Sequence, residues 1–238
     1  MRQGRRQCLL RHLGIAEQMS IREYMDRLTV EFTNLFADFH SGISAREDSR
    51  AFGAMIERRI TDNWEDICNR TDSEYVANPG RKTIYDFASR HEGIFFGFDV
   101  KTKDLDSERY SDGGVCSVGN LLRFLANDGA IFVIVEFGHH KAKAGISLRV
   151  LDYVSIAPFH ILPEEIYRIE NLGTGQVRFN QPIHEVFEKI AWGRSLDRFF
   201  DMFVDKVIAH YEQVGQKARQ RSDAMRRFRD AGYRHFRF

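Results

Sequence analysis

The sequence predicts an α/β domain in which helices flank a mixed β-sheet. Three observations lead there. Two stretches near the N-terminus repeat apolar residues at helical spacing, the middle of the chain carries short Phe- and Val-rich runs bounded by turn residues, and helical periodicity returns after residue 196. The 238 residues are enough for one continuous core, and the twenty phenylalanines fall within the apolar stretches, as a packed chain requires.

From Ile15 to Phe39 the residues Ile21, Tyr24, Met25, Leu28, Phe32, Leu35, Phe36 and Phe39 recur at three and four, which predicts a helix. Ser20 with Glu23 fits a capping box opening part of it. The polar segment Ser41–Ser49 reads as a loop. A second helix is expected over Arg50–Cys68, with Phe52, Met55, Ile56, Ile60, Trp64 and Ile67 on its buried stripe and Glu57 beside that stripe. Asn78-Pro79-Gly80 marks a turn. Thr83–Ala88 and Ile94–Thr102 read as two strands joined by a loop at Arg90–Gly93. Ser117–Asn127 should be a helix opened by Ser117 or Gly119 and ended by Asp128-Gly129. Ala130–Phe137 is apolar enough for a buried strand, and Ile146–Ile156 is a further one. Val186–Ile190 and Leu196–Tyr211 look helical, the second continuing as a charged helix towards Phe228. No internal repeat is evident.

The net charge is only +1, but it is unevenly spread. Arg2, Arg5, Arg6 and Arg11 have no acid among them, and bases outnumber acids from Asp205 to Phe238. Basic ends of this kind suit either a polyanion or a solvated helix face. Cys8, Cys68 and Cys116 stand far apart, which gives neither a zinc pattern nor a disulfide framework. No run approaches the roughly 20 apolar residues of a membrane span, and no signal-peptide pattern opens the chain. A cytoplasmic protein without a membrane partner is expected.

The candidate chemistry centres on Asp99-Val-Lys101. No other lysine in the chain has an acid two residues before it. Phe95, Phe96, Phe98 and Val100 make an apolar strand, and strand periodicity puts Asp99 and Lys101 on one face. Depending on the centre of the hairpin, Asp86 faces either Asp99 or Gly97, at roughly 5 Å between directly opposed Cβ atoms and about 7–8 Å on the diagonal. Two carboxylates so close are costly unless a cation lies between them. Mg2+ suits such a site, since it commonly takes only one or two protein carboxylates and completes its shell with water. Lys101 would then orient or deprotonate a water, or offset charge in the transition state, and the nearby carboxylates favour the positioning and charge-stabilising role. The plainer alternative is a salt bridge at the end of a hairpin.

An acid on one strand and Asp-x-Lys on the next, over Thr83–Lys103, resembles the PD-(D/E)XK nuclease superfamily, and within it type II restriction endonucleases. The helix with Glu57, the helix at Ser117–Asn127 and the strand at Ala130–Phe137 follow that core order. The resemblance spans roughly Arg50–Phe137. Tyr85 stands where the family motif has proline. What the resemblance implies is a restriction-endonuclease-like fold in which Asp86 and Asp99 hold Mg2+, Lys101 assists the attacking water, and Glu57 matches a glutamate that some members add. It further implies cleavage of double-stranded DNA at a short specific site by a homodimer, with a cognate DNA methyltransferase in the same host. On this reading residues 1–238 form one nuclease domain, with a helical arm at 1–49, a catalytic core at 50–156 and a helical, basic region for DNA binding or dimerisation at 157–238. The alternatives are a structure-selective repair or recombination nuclease of the same superfamily, and a non-catalytic DNA-binding protein with a nuclease-like core.

Other candidates are secondary. Asp104, Asp106 and Glu108 either extend the metal site or line a solvated loop. Glu136 ends the apolar strand, and His139, His140 and Lys141 beyond it could contact DNA or form a polar turn. Ser111-Asp112-Gly113-Gly114 reads as a loop after the active strand. Gly173-Thr174-Gly175-Gln176 lacks the spacing of a dinucleotide fingerprint. Tyr233–Phe238 interleaves aromatic and basic residues, as a stacking and phosphate-binding segment would.

Overall fold

In the computed structural model the described residues are 15–37, 49–77, 80, 83–106, 114–126, 130–141, 149–170 and 175–231. The basic segment at residues 2–11 and the loop at 41–48 lie outside them. So do Asn78-Pro79, Glu108, Ser111–Gly113, Asp128-Gly129, Gly173-Thr174, Tyr233–Phe238 and the Lys141 side chain.

Helix α1 runs Ile15–Phe36 and α2 runs Ser49–Arg70. Their stripes, Tyr24, Leu28 and Phe32 on one and Phe52, Ile56, Ile60 and Trp64 on the other, are buried together. Trp64 Nε1 donates to Ala88 O at 2.7 Å and so fastens α2 to the sheet beneath. The capping box expected at Ser20–Glu23 does not form. Ser20 lies within α1, and its hydroxyl donates instead to Glu92 Oε2 at 2.8 Å.

The sheet has five strands: β1 Glu74–Val76, β2 Phe87–His91, β3 Ile94–Asp104, then β5 Ile131–Lys141 and β6 Arg149–Pro158. Their order is β1-β2-β3-β5-β6, antiparallel throughout except for the parallel pair β3–β5. Parallel neighbours need a crossover, and the chain makes it through β4 Gly114–Ser117 and helix α3 Val118–Ala126. Ser117 opens α3, its Oγ accepting from Asn120 N–H at 3.3 Å. The mixed sheet flanked by helices that the sequence predicts is therefore present. One face, carrying Phe96, Phe98, Val133, Val135 and Phe137, packs on α1 and α2. The other, with Phe132, Ile134 and Ala157, packs on Leu121 and Leu125 of α3 and on a second layer.

That second layer differs from the expected all-helical C-terminal region. Strands β7 Tyr167–Glu170 and β8 Gln176–Phe179 join β4 in an antiparallel sheet of order β4-β8-β7. The segment Ile183–Lys189 is a 3-10 helix, and α4 then extends over Leu196–Asp230, capped by Ser195 Oγ on Arg198 N–H at 3.3 Å. Only Leu196, Phe199, Phe203 and Val207 of α4 are buried. No described helix is long and apolar enough to cross a membrane.

Candidate active site

The β2–β3 hairpin turns at Glu92-Gly93, with φ of 49° and 78°. Two left-handed residues in sequence make the tight turn that matches strand twist, and they fix the register. Phe87 pairs with Phe98 and His91 with Ile94, so continuing by one residue sets Asp86 opposite Asp99 rather than Gly97. Strand β2 begins only at Phe87, not at Thr83 as expected. The reason is local: Asp86 N–H still donates to Phe98 O at 2.7 Å, but its carboxylate Oδ2, not its backbone, accepts from Val100 N–H at 2.7 Å. Thr83 Oγ1 meanwhile donates to Tyr85 O at 2.9 Å, which holds the approach to Asp86 in a bend.

Glycine at position 97 is part of this geometry. A Cβ there would lie 2.8 Å from the Phe124 ring and 2.9 Å from that of Tyr85, the residue before Asp86. Gly97→Val is expected to destabilise the fold by about 1–3 kcal/mol through overpacking, and urea unfolding measures it.

Asp99 is 6% exposed. Lys101 Nζ lies 2.8 Å from each of its oxygens, but only the contact with Oδ1 has hydrogen-bonding geometry. Oδ2 is buried and accepts no hydrogen bond among the described residues. Burial pushes the Asp99 carboxyl up to about 7 against the pull of Lys101, and the charges of Asp86 and Glu57 add to the rise. Burial likewise raises Asp86, opposed by the Val100 N–H and Lys101. Glu57 on α2 is raised by burial and then by Asp86, against Lys101. For Lys101, burial works against the ammonium, yet Asp99 and Asp86 together hold its pKa above the usual lysine value. Cys116 on β4 lies within reach of the charges of the same pair, and burial followed by Asp99 pushes its thiol up to about 12. Three mutually disfavouring carboxylates thus share one ammonium, which leaves the cluster short of positive charge.

Asp86 and Glu57 both line a cleft of about 580 Å3, together with Arg58, Thr61, Asp62, Thr83 and Tyr85. The Asp86 side of the cluster therefore opens to solvent.

Four of the residues singled out from sequence, Glu57, Asp86, Asp99 and Lys101, are thus brought together. The rest are not. Asp104 Oδ1 accepts from Asp106 N–H at 3.1 Å, closing the turn after β3. His139 is fully buried with its ring 4.4 Å from that of Phe52, so it does not reach the surface to touch DNA. Strand β5 runs on through this segment, and its alternation puts His139 on the same face as Val135 and Phe137, while the bulge between Gly138 and His139 takes up its extra residue, Asp152, on β6. His140 is exposed, 3.2 Å from Asp106 and 4.0 Å from Asp152. Glu136 is buried and structural in its contacts, accepting from Tyr153 Oη at 2.9 Å and from Ile183 N–H at 2.8 Å. Sequence reasoning missed Arg168 and Arg178 on the second sheet. The alternation in Tyr-Arg-Ile-Glu and Gln-Val-Arg-Phe, either side of a glycine-containing turn, was the signal that could have found them.

No protein-family profile matches the chain, and no curated protein sequence matches it.

Proposed function

We propose that the chain is a Mg2+-dependent endonuclease that hydrolyses phosphodiester bonds of double-stranded DNA, with a restriction-endonuclease-like core. The observation that carries this reading is Asp99. A buried carboxylate opposite a second carboxylate in hairpin register, with Glu57 adding a third negative charge and a single ammonium among them, carries negative charge that a cation would balance. Among the described residues no three His, Cys, Asp or Glu side chains form a metal cage. A pair of carboxylates suits Mg2+, which retains water ligands, better than it suits zinc.

Asp86 and Asp99 would hold the ion. When bound, Mg2+ would supply polarisation of a phosphoryl oxygen and a more acidic water. Lys101, fixed by Asp99, contributes an ammonium beside the scissile phosphate, where it offsets developing charge and orients the water. Glu57 lines the same open cleft as Asp86, through which a DNA backbone would reach the site. Helix α2, the β1-β2-β3 meander, the α3 crossover and the parallel strand β5 follow the core order that the family resemblance implies, which supports the fold reading. By that same resemblance the enzyme is a type II restriction endonuclease. It would work as a cytoplasmic homodimer at a short symmetric site, beside a cognate methyltransferase.

The test is incubation of the purified chain with plasmid DNA in Mg2+ and in chelator, followed by sequencing of the ends. Discrete fragments with a common end sequence, formed only in Mg2+, are the expected result. Intact plasmid across a range of divalent ions and DNA sequences would sink the nuclease reading.

A further inference from the structure

The β7–β8 hairpin carries a polar outer face for which the proposed active site has no use. Tyr167, Ile169, Val177 and Phe179 are buried in the core, so alternation turns Arg168, Glu170, Gln176 and Arg178 outward, where all four are partly exposed. The register sets Arg168 directly opposite Arg178. Like charges facing across an antiparallel pair are unfavourable. Glu170 offsets them only in part: it accepts from Arg168 Nε at 2.6 Å and lies 2.9 Å from Arg178 Nε, which is not aligned to donate to it. One carboxylate between two guanidiniums leaves the face positive.

The two arginines are not equivalent. Arg168 is held by Phe179 O at 3.0 Å and Asn180 Oδ1 at 2.7 Å, whereas Arg178 Nη2 has a long 3.5 Å contact to Gln176 Oε1. On the far side Arg178 faces Gly114 of β4, where a Cβ would come within 2.7 Å of the Gln176 carboxamide. Glycine there lets Gln176 lie across the neighbouring strand. A guanidinium fork and a carboxamide are the side chains that pair bidentately with guanine and adenine edges in the major groove. Cys116 of β4 pairs with the buried Val177, so Arg178 and Gln176 lie on the face of this sheet turned away from the core.

We infer that the outer face of the β7–β8 hairpin reads base edges in the major groove of duplex DNA, with Arg178 and Gln176 as the specificity-determining residues. This rests on the nuclease reading of the Asp86–Asp99 site, because that site supplies the duplex. Strand-borne readers are held more firmly than loop-borne ones, which favours discrimination.

The experiment digests a random-sequence duplex library in Mg2+ with the wild type, Arg178→Ala and Arg178→Lys, and sequences the cut ends. Arg178→Ala removes both a like-charge opposition and the ion pair with Glu170 and leaves the buried face alone, so its melting temperature should stay close to that of the wild type. Preference at one or more base pairs should fall by about tenfold or more in Arg178→Ala. Lysine should not restore it, because an ammonium lacks the fork. Uniformly slower cutting with unchanged preference would mean phosphate contact only. That result, or cutting identical to wild type, overturns the inference and leaves the nuclease reading standing. If the wild type cuts nothing, the nuclease reading fails, and duplexes retained by the protein in chelator decide the inference separately. A motif enriched by wild type and lost in Arg178→Ala upholds base reading, and absence of any motif overturns it.

Discussion

Asp99→Asn is expected to slow single-turnover, Mg2+-dependent DNA cleavage by about a thousandfold or more while the chain remains folded. Asparagine keeps the shape of the buried side chain but removes the charge that a hard cation requires. It also replaces one of the two oxygens that face the site with an amide nitrogen that cannot ligate a metal. Lys101 would keep an oxygen to donate to but lose the charge of its ion pair, leaving the more distant attraction of Asp86. Asp86→Asn should cost a similar factor, since its carboxylate both faces the cleft and holds Val100 N–H. Glu57→Gln should cost less, roughly ten- to a hundredfold, because Glu57 lines the cleft and acts on the site through its charge. Circular dichroism alongside the rate assay separates lost chemistry from lost fold. If Asp99→Asn cuts within about tenfold of wild type, the carboxylate pair is not where the chemistry occurs.

The residues of this site were legible in the sequence because a hairpin is a local object. Once Glu92-Gly93 is the turn, the pairing of Asp86 with Asp99 follows by counting, and the sequence had already narrowed it to two registers. What it could not show was that the Asp86 side chain replaces a backbone acceptor, which delays the start of β2. Long-range contacts were equally hidden. Ser20 and Glu23 have the spacing of a capping box, but the partner of Ser20 is Glu92, brought in by the fold. His139 and His140 look alike in sequence, but β5 continues to Lys141, four residues beyond the expected end at Phe137, and its alternation sends one into the core against Phe52 and leaves the other in solvent. The second sheet escaped notice because each of its strands spans only four residues, too few for periodicity to outweigh the glycines around them.

His160 makes the fold sensitive to acid. Its ring is fully within the core at Phe159–Ile161, its Nδ1 has no hydrogen-bond partner among the described residues, and burial followed by the Arg194 guanidinium pushes its pKa down to about 3. Arg194 is itself committed there, donating to Leu162 O at 2.7 Å, so it cannot withdraw from a second cation. Between the ordinary histidine value and about 3, the unfolded chain binds a proton at this position and the folded chain does not. Stability from this group is therefore complete above the ordinary value and falls as the pH drops through that window, by on the order of 5 kcal/mol across it. His160→Leu removes the titration, and urea unfolding at about pH 7 and about pH 4 should show its stability declining far less than that of the wild type. Asp99 tilts the same window the other way: held up to about 7 by burial, it stays protonated in the folded chain while the unfolded chain ionises, so its contribution weakens as the pH rises. The wild-type curve alone mixes these opposing slopes. The difference between wild type and His160→Leu cancels Asp99 and isolates the histidine, and parallel curves for the two proteins would show that His160 is not held neutral by its burial.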